Sequence, residues 1–359
     1  MTTNEDKAMT IGIPRGMSFY NNYPFYYGFF TDLGIEIVLS DPTTKETMSK
    51  GSSLVVTETC LPIKVYVGHV LNLIDKGIDK IFVPSIQSIA PKIYNCSKIR
   101  GLPDLIRNVV KKDFTMIEAT LDKSEKNQGL YEFLEEAVRP FGITDKERIK
   151  KASKAGWRTY NNFYIMSKSG MSYKKAMNYA LQGKVFIENQ TREYPISVAL
   201  VSHGYNIFDE RTSMKIIDKL EEMDVRVYTS LQLSNEQMDD GIATLGQNMY
   251  WANEREMTGA AGHYMKDSKI DGIITLTAFG CGPDSLMCER IMRKAKKFNK
   301  PLLHLTIDEQ TGEAGFITRL EAFVDMLFRK KRADIINKIQ ISEHNSYTPN
   351  TNYIETSNH

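Results

Sequence analysis

The sequence predicts an α/β protein in which two lobes, each built on a parallel sheet, face one another across a cleft. Short apolar runs of strand length alternate with helical segments over residues 8–125 and again over 194–330. Such alternation is typical of parallel strands joined by right-handed crossovers. Residues 126–193 are lysine-rich with helical periodicity, which predicts a helical connector. Residues 331–359 are rich in Asn, Ser and Thr, so we expect a mobile tail there.

The N-terminal lobe is predicted from its Gly and Pro residues as much as from its apolar runs. Its first strand reads TIGIPRG and ends where Pro14 and Gly16 interrupt the extended pattern. Cys60 and Pro62 precede a later helix, and Cys96 lies in a polar loop after another strand. The predicted strands cover residues 10–16, 35–39, 81–86 and 114–121, and the predicted helices include residues 25–33, 63–74 and 103–111.

The C-terminal lobe repeats this order. VALVSHG opens it as a strand, and KIDGIITLTAF leads to Cys281. Because Gly280, Gly282 and Pro283 interrupt the apolar run, Cys281 is predicted on a tight turn between a strand and a helix. GIDKIFVPSI in the first lobe likewise leads to Cys96, so we interpret the lobes as a weak internal repeat. The predicted strands here cover 198–204, 225–230 and 270–279, and the predicted helices cover 210–223 and 283–297.

The composition is that of an ordinary globular protein and excludes several classes of partner. The sequence has 46 basic and 44 acidic residues. This balance gives no electrostatic field suited to nucleic acid or a charged membrane surface. No apolar run approaches the length that spans a bilayer, and MTTNEDKAMT lacks the apolar core of a signal peptide. We therefore expect a cytoplasmic protein whose four cysteines are free thiols. Phosphate-binding glycine motifs are also missing, so nucleotide binding has little support.

Three of the four cysteines are candidates for a metal centre. Cys60, Cys96 and Cys281 are predicted in strand-to-helix loops, and loops at the carboxyl ends of two facing sheets can converge on one cleft. Three thiolates there could hold an iron–sulfur cluster while leaving one iron open to water or substrate. The spacing alone is a weak signal, because no CxxC motif is present. Cys288 shares a helix face with Ile291 and is interpreted as a core residue.

Two alternatives to the cluster stay open. Free cysteines are most often small buried hydrophobic residues, in which case the protein binds no metal. Zinc is the other alternative, with three thiolates and a fourth ligand from His69, His203 or His263, although the usual short ligand spacings are missing.

Two histidines and one charged segment are further candidates. His203 follows a strand, where polar residues in this architecture are often functional, and His69 lies in the helix after Cys60. We predict both as cleft residues that donate to, or orient, a bound substrate. In TIDEQTGEAGFITRLEAF, charges alternate with apolar residues, so either Arg319 joins a structural ion pair or the group lines the cleft.

Several segments together resemble one protein family. IGIPRGMSFYNNYPFYYGFFTDLGIEIVLS, CLPIKVYVGHV, FGCGPDSL and DEQTGEAGFITRLEAF resemble the acyl-CoA dehydratase activase-related proteins. These are relatives of the 2-hydroxyacyl-CoA dehydratase and benzoyl-CoA reductase subunits, and the resemblance covers roughly residues 10–330. It implies flavodoxin-like lobes and an iron–sulfur cluster, with Cys60, Cys96 and Cys281 at the family's cysteine positions. YNCSKIRG, around Cys96, matches the family pattern less well than the other segments.

The resemblance also implies a reaction and a partner. In the related dehydratases a separate ATP-hydrolysing activator supplies one electron, and a CoA thioester is dehydrated through a ketyl radical. We therefore expect an iron–sulfur protein of anaerobic metabolism, most simply with a 4Fe-4S cluster, that acts as a dehydratase (lyase) or a low-potential reductase. A double-cubane cluster needs more cysteines than the four present. The alternative from another class is a non-catalytic electron relay or maturation partner, and a homo- or heterodimer is compatible with either.

Overall fold

A computed structural model describes residues 9–126, 128–187, 192–246 and 250–346. The strands are β1 Thr10–Ile13, β2 Glu36–Leu39, β3 Lys80–Phe82, β4 Ser85–Ala90, β5 Ile93–Tyr94, β6 Thr115–Ile117, β7 Thr120–Asp122, β8 Ile196–Val201, β9 Val225–Tyr228, β10 Gly272–Ala278 and β11 Leu302–Ile307. The helices are α1 Phe19–Asp32, α2 Lys45–Ser52, α3 Leu61–Asp75, α4 Ser97–Arg100, α5 Leu102–Val109, α6 Leu130–Val138, α7 Lys146–Lys168, α8 Tyr173–Leu181, α9 Gly204–Ile207, α10 Ile216–Glu222, α11 Asn235–Leu245, α12 Ala252–Lys266, α13 Gly282–Lys297 and α14 Glu313–Ser346. The described residues also form two 3₁₀ turns, Arg139–Phe141 and Ser230–Gln232.

Each lobe is built around a parallel sheet, and the two sheets have the same strand order. The N-terminal sheet runs β2-β1-β3-β6, and the C-terminal sheet runs β11-β10-β8-β9. Numbered within its own lobe, each sheet therefore has the order 2-1-3-4, which is the order of flavodoxin-like folds. This confirms the α/β class with two flavodoxin-like lobes. It also gives the weak sequence repeat a structural counterpart.

The predicted strands at 81–86 and 114–121 are each broken in two. Pro84 cannot donate a hydrogen bond, so β3 ends at Phe82 and β4 begins at Ser85. On the neighbouring strand, β6 ends before Glu118 and β7 begins at Thr120. The segments β4 and β7 then pair in a second small sheet with the hairpin strand β5, in the order β5-β4-β7. The prediction of single continuous strands was therefore wrong, and the break creates the hairpin that carries Cys96.

The predicted helical connector packs onto the N-terminal lobe. The apolar face of α6, including Phe133 and Leu134, is buried in the core of that lobe. Helix α7 lies so close to α1 that a Cβ atom on Gly28 would stand 2.7 Å from the carbonyl oxygen of Ala155. The connector therefore covers one face of the lobe. Trp157 of α7 remains 44% exposed and contacts Phe25 at the edge of this interface.

The C-terminal lobe departs from the predictions in two places. The helix predicted over 210–223 is shorter, because Met214 and Lys215 take left-handed backbone angles and α10 begins only at Ile216. Helix α14 continues beyond residue 330, where we expected a polar tail, and ends at Ser346. The run KKRADIINKI in that segment contains good helix formers and no proline, which explains the continuation. Residues 347–359 of the predicted tail lie outside the described residues.

In each lobe, two helices pack so closely that a glycine is required where they meet. A Cβ atom on Gly68 of α3 would lie 2.0 Å from the carbonyl oxygen of Thr47 in α2. In the C-terminal lobe, a Cβ atom on Gly262 of α12 would lie 2.0 Å from the carbonyl oxygen of Gly241 in α11. In both lobes the pair lies between the second and the third strand of the lobe sheet. The backbones of the two helices in each pair are therefore in direct contact.

A buried ion pair crosses from one lobe to the other. Lys64 of α3 donates to Glu309 Oε1 at 2.6 Å and to the carbonyl oxygen of Thr57 at 2.8 Å. The Lys64 side chain is 4% exposed and that of Glu309 is 28% exposed. The charged segment after β11 thus contributes an ion pair through Glu309, whereas Arg319 donates to the carbonyl oxygen of Gly315.

Glu309→Gln should destabilise the protein more than Lys64→Met. Without Glu309 the buried Lys64 ammonium loses its counter-charge, a loss that costs about 3 kcal/mol of unfolding free energy. Without Lys64, the partly exposed Glu309 carboxylate can hydrate, so we expect a cost of about 1 kcal/mol. Urea denaturation of both variants measures the difference. Glu313→Gln is the matched control, because Glu313 pairs with Lys219 in an exposed position. The reverse order of the two losses would contradict this account.

Candidate functional site

One pocket of about 450 Å³ brings together the three candidate cysteines. Cys60 and Cys96 come from the N-terminal lobe and Cys281 from the C-terminal lobe, so the pocket lies where the lobes meet. Its volume is within the range of ordinary ligand sites. The other lining residues are aromatic, polar or basic, or belong to the glycine turn: Tyr94, Asn95, Ser97, Lys98, Arg100, Tyr250, Trp251, Gly280, Gly282 and Pro283.

Each of the three cysteines is the residue that precedes a helix. Cys60 caps α3, Cys96 caps α4 and Cys281 caps α13, all with extended backbone angles. Pro62 and Pro283 stand in the first helical positions, where the ring's fixed φ angle fits and no hydrogen bond is lost. The thiols therefore lie at helix N-termini, where unpaired N–H groups and the helix dipole favour an anionic ligand or a thiolate.

Burial keeps the thiols protonated when no metal is bound. It raises the pKa of Cys60, Cys96 and Cys281 above the usual value for a thiol. The Lys98 ammonium acts in the opposite direction on the pKa of Cys60, and the backbone amide of Asp284 does so on the pKa of Cys281. A metal at this site would displace the three thiol protons. Its affinity should therefore rise with pH.

The turn at Gly280 places Cys281 against Cys60. Gly280 has a φ angle of +79°, a left-handed conformation that glycine adopts without strain. A Cβ atom there would lie 3.0 Å from the carbonyl oxygen of Glu58 and 3.6 Å from the Cα atom of Cys60. The absence of a side chain thus allows the two lobes to approach at this point.

The loop that carries Cys96 is fixed by hydrogen bonds to both lobes. Asn95 Nδ2 donates to the carbonyl oxygen of Ile86 at 2.8 Å, and Arg100 Nε donates to Gln87 Oε1 at 2.8 Å. The amide of Tyr94 donates to the carbonyl oxygen of Tyr250 in the other lobe at 2.8 Å. Sequence reasoning missed this contact, because no local pattern links positions 94 and 250.

Beside the pocket, His203 belongs to a buried cluster of ionisable side chains. His203 Nε2 donates to Asp284 Oδ1 at 2.6 Å, and ligand atoms of His203, Asp284 and Glu254 all lie within 4.8 Å of one another. Burial, the largest single effect, lowers the pKa of His203, but the carboxylates of Asp284, Glu254 and Glu256 together raise it to about 9. Burial raises the pKa of Glu254. This set of donors is chemically able to hold a divalent cation. Sequence reasoning singled out His203 and missed Glu254, which no motif marks.

The other candidate histidines lie elsewhere. His69 is fully buried, and its Nε2 atom lies 2.9 Å from Thr43 Oγ1, which in turn bonds Asp209. Burial lowers the pKa of His69 to about 4, so the ring is neutral at physiological pH. Thr43 and Asp209 line a different cavity of about 680 Å³. In the described parts of the chain, none of His69, His203 and His263 lines the cysteine pocket, so the pocket offers no imidazole for the zinc alternative.

Cys288 lies in the hydrophobic core of the C-terminal lobe. It is 2% exposed and belongs to the same buried cluster as Ile291 and Ala295. Burial raises its pKa to about 12, as expected for an inert thiol. The structure therefore separates this cysteine from the other three.

Comparison with protein families identifies the chain. Residues 10–233, more than half of its length, match the model of the CoA enzyme activase uncharacterised domain (DUF2229). The chain belongs to this family. Residues 200–327 also match the model of the 2-hydroxyglutaryl-CoA dehydratase D-component. The two matches together span both lobes and agree with the resemblance found in the sequence motifs.

A search of curated proteins finds no match for this chain. Among its described helices, none combines the length and the apolar character that crossing a lipid bilayer requires.

Proposed function

We propose that this chain is a cytoplasmic iron–sulfur protein of anaerobic metabolism, in which Cys60, Cys96 and Cys281 hold a 4Fe-4S cluster. One observation carries the proposal: three cysteines that are far apart in the sequence line one pocket between the lobes. The dehydratase-component match supports the same conclusion. When bound, such a cluster supplies one-electron transfer at a potential set by its protein surroundings.

The residues of the pocket fit this group. Thiolates are the usual protein ligands of iron–sulfur clusters, and three of them leave one position for another ligand. The helix N-termini behind Cys60 and Cys281 favour the negative charge of a thiolate-bound cluster. Lys98 adds a positive charge at the pocket wall. In this account His203, held by Asp284, contributes a buried cation near the pocket.

We further propose that an ATP-dependent activator protein reduces the cluster. The reduced protein then carries out a low-potential reduction or the radical dehydration of a CoA thioester. The open space beside the thiols favours a site that binds a ligand over a non-catalytic electron relay, because an electron relay needs no such volume. Adding a CoA thioester to the reduced protein should therefore change its electron paramagnetic resonance spectrum. An unchanged spectrum would favour the relay or maturation role.

Chromatography of the intact protein would separate a monomer from a homodimer, and a heterodimer requires the partner.

Iron and acid-labile sulfide in protein purified without oxygen test the cluster itself. We expect about four iron and four sulfide per chain, with an absorption band that bleaches on reduction. Zinc in place of iron, or no metal at all, would contradict the proposal and leave the cysteines as structural residues.

A further inference from the structure

The two lobes correspond element by element, beyond the strand order of their sheets. In the N-terminal lobe, the pair α2 and α3 follows the second strand, and in the C-terminal lobe α11 and α12 follow the second strand. Both pairs make the same kind of glycine contact, through Gly68 in one and Gly262 in the other. The first helix after the third strand is α4 in one lobe, beyond the β4–β5 hairpin, and α13 in the other.

This correspondence relates four residues that precede helices. Cys96 caps α4, and its counterpart Cys281 caps α13. Cys60 caps α3, and its counterpart is Trp251, which caps α12. Trp251 has φ and ψ angles of −95° and 128°, in the same extended region as the −62° and 146° of Cys60. Both lobes thus direct two equivalent helix starts to the interface.

All four of these positions line the same pocket of about 450 Å³. The hydrogen bond from Tyr94 to Tyr250 joins the segment before Cys96 directly to the segment before Trp251. Three of the four positions carry a thiol, and the fourth carries an indole. The four positions therefore have similar places in the backbone of their lobes and differ in their side chains.

We propose that Trp251 stands where the internal symmetry would place a fourth cysteine, and that it marks the side of the pocket on which an anionic ligand binds. This inference rests on the proposed function for the identity of the metal group. An indole cannot replace a thiolate as a ligand, so a group held by the three cysteines receives no thiolate from its Trp251 side. The walls there are Tyr250, the preceding residue, and Tyr94, which forms a β-bridge with Trp251. The Arg100 guanidinium lies over the Tyr94 ring, 5.4 Å from its centroid, and supplies a positive charge for an anion.

Cobalt binding to the metal-free protein tests the geometry without any cluster. Trp251→Cys should place a fourth thiol in the pocket and bind Co²⁺ at least about tenfold more tightly than Trp251→Ser, with the absorption of a four-thiolate tetrahedral site. Trp251→Ser is the matched control, because serine has nearly the size of cysteine and no thiol. Thermal unfolding of both variants shows that they fold. Equal affinities in two folded variants would overturn the inference.

Cyanide binding to the loaded protein tests the ligand side. Cyanide, a small anion that binds iron, should shift the electron paramagnetic resonance spectrum of the wild type and of Trp251→Ser. It should leave that of Trp251→Cys unchanged. A shift in all three would overturn the inference. A wild-type protein without iron whose Trp251→Cys variant still gains Co²⁺ affinity would support the fourth position and contradict the proposed cluster. The failures of the two proposals are therefore distinguishable.

Discussion

Cys281→Ser should leave the protein with less than about a tenth of its wild-type iron and sulfide, the largest effect that we expect of any single substitution. Three thiols line the pocket, and no imidazole lines it in the described residues, so no further thiol or imidazole there can replace the lost ligand. Serine oxygen is a far poorer ligand for iron than a thiolate. Iron and sulfide analysis of anaerobically purified protein, with its absorption spectrum, measures the loss.

Cys288→Ser is the matched control, because it makes the same chemical change seven positions along the chain. Cys288 lies in the core of the lobe, so the variant loses some stability but should keep its cluster. Circular dichroism establishes that both proteins are folded. Equal iron and sulfide in the two variants would remove Cys281 from the set of ligands.

Gly68→Ala should lower the free energy of unfolding by more than about 3 kcal/mol. Alanine is normally the better helix former by about 1 kcal/mol, so propensity alone predicts the opposite sign. Here the new Cβ atom would meet the backbone carbonyl of Thr47 at 2.0 Å, and a carbonyl inside a helix cannot rotate away. Helices α2 and α3 must then separate, which moves Cys60 at the start of α3.

Urea denaturation measures this loss, and Gly315→Ala is its control. Gly315 is exposed in α14, and a Cβ atom there meets nothing within 4 Å. This substitution should be neutral or slightly stabilising. A small loss at Gly68, comparable with the result at Gly315, would contradict direct contact between α2 and α3. If Gly68→Ala does not accumulate in folded form, Gly262→Ala offers the same test in the other lobe.

Local chemistry made part of this structure predictable. Helix α3 has an apolar face with Pro62 at its start, and strand β10 is a buried, largely apolar run that ends at Ala278, just before Gly280. Both signals lie within one element, so both elements were predicted from sequence. The predicted placement of Cys60 and Cys281 before helices follows from the same short patterns. The ligand role of these cysteines stays a prediction.

The features that could not be predicted depend on contacts between residues that are far apart in the sequence. The pair α11 and α12 was not predicted, because its helices meet through Gly241 and Gly262, residues that propensity counts against a helix. Glu254 is buried beside His203 only because the folded lobe places α12 next to the end of β8. The break at Pro84 was readable in the sequence. Its partner break near Glu118 depends on the pairing of the two strands.

Because both lobes meet at one pocket, the proposed metal group would affect the lifetime of the protein. A group bound to Cys60, Cys96 and Cys281 would bind the native arrangement far better than the unfolded chain, so it would add its binding free energy to folding. Oxygen that destroys the proposed cluster would remove this contribution at the junction. The lobes would then separate more often and expose the junction to proteases. Exposure to air would therefore lead to faster degradation of the protein, which would clear inactivated copies from the cell.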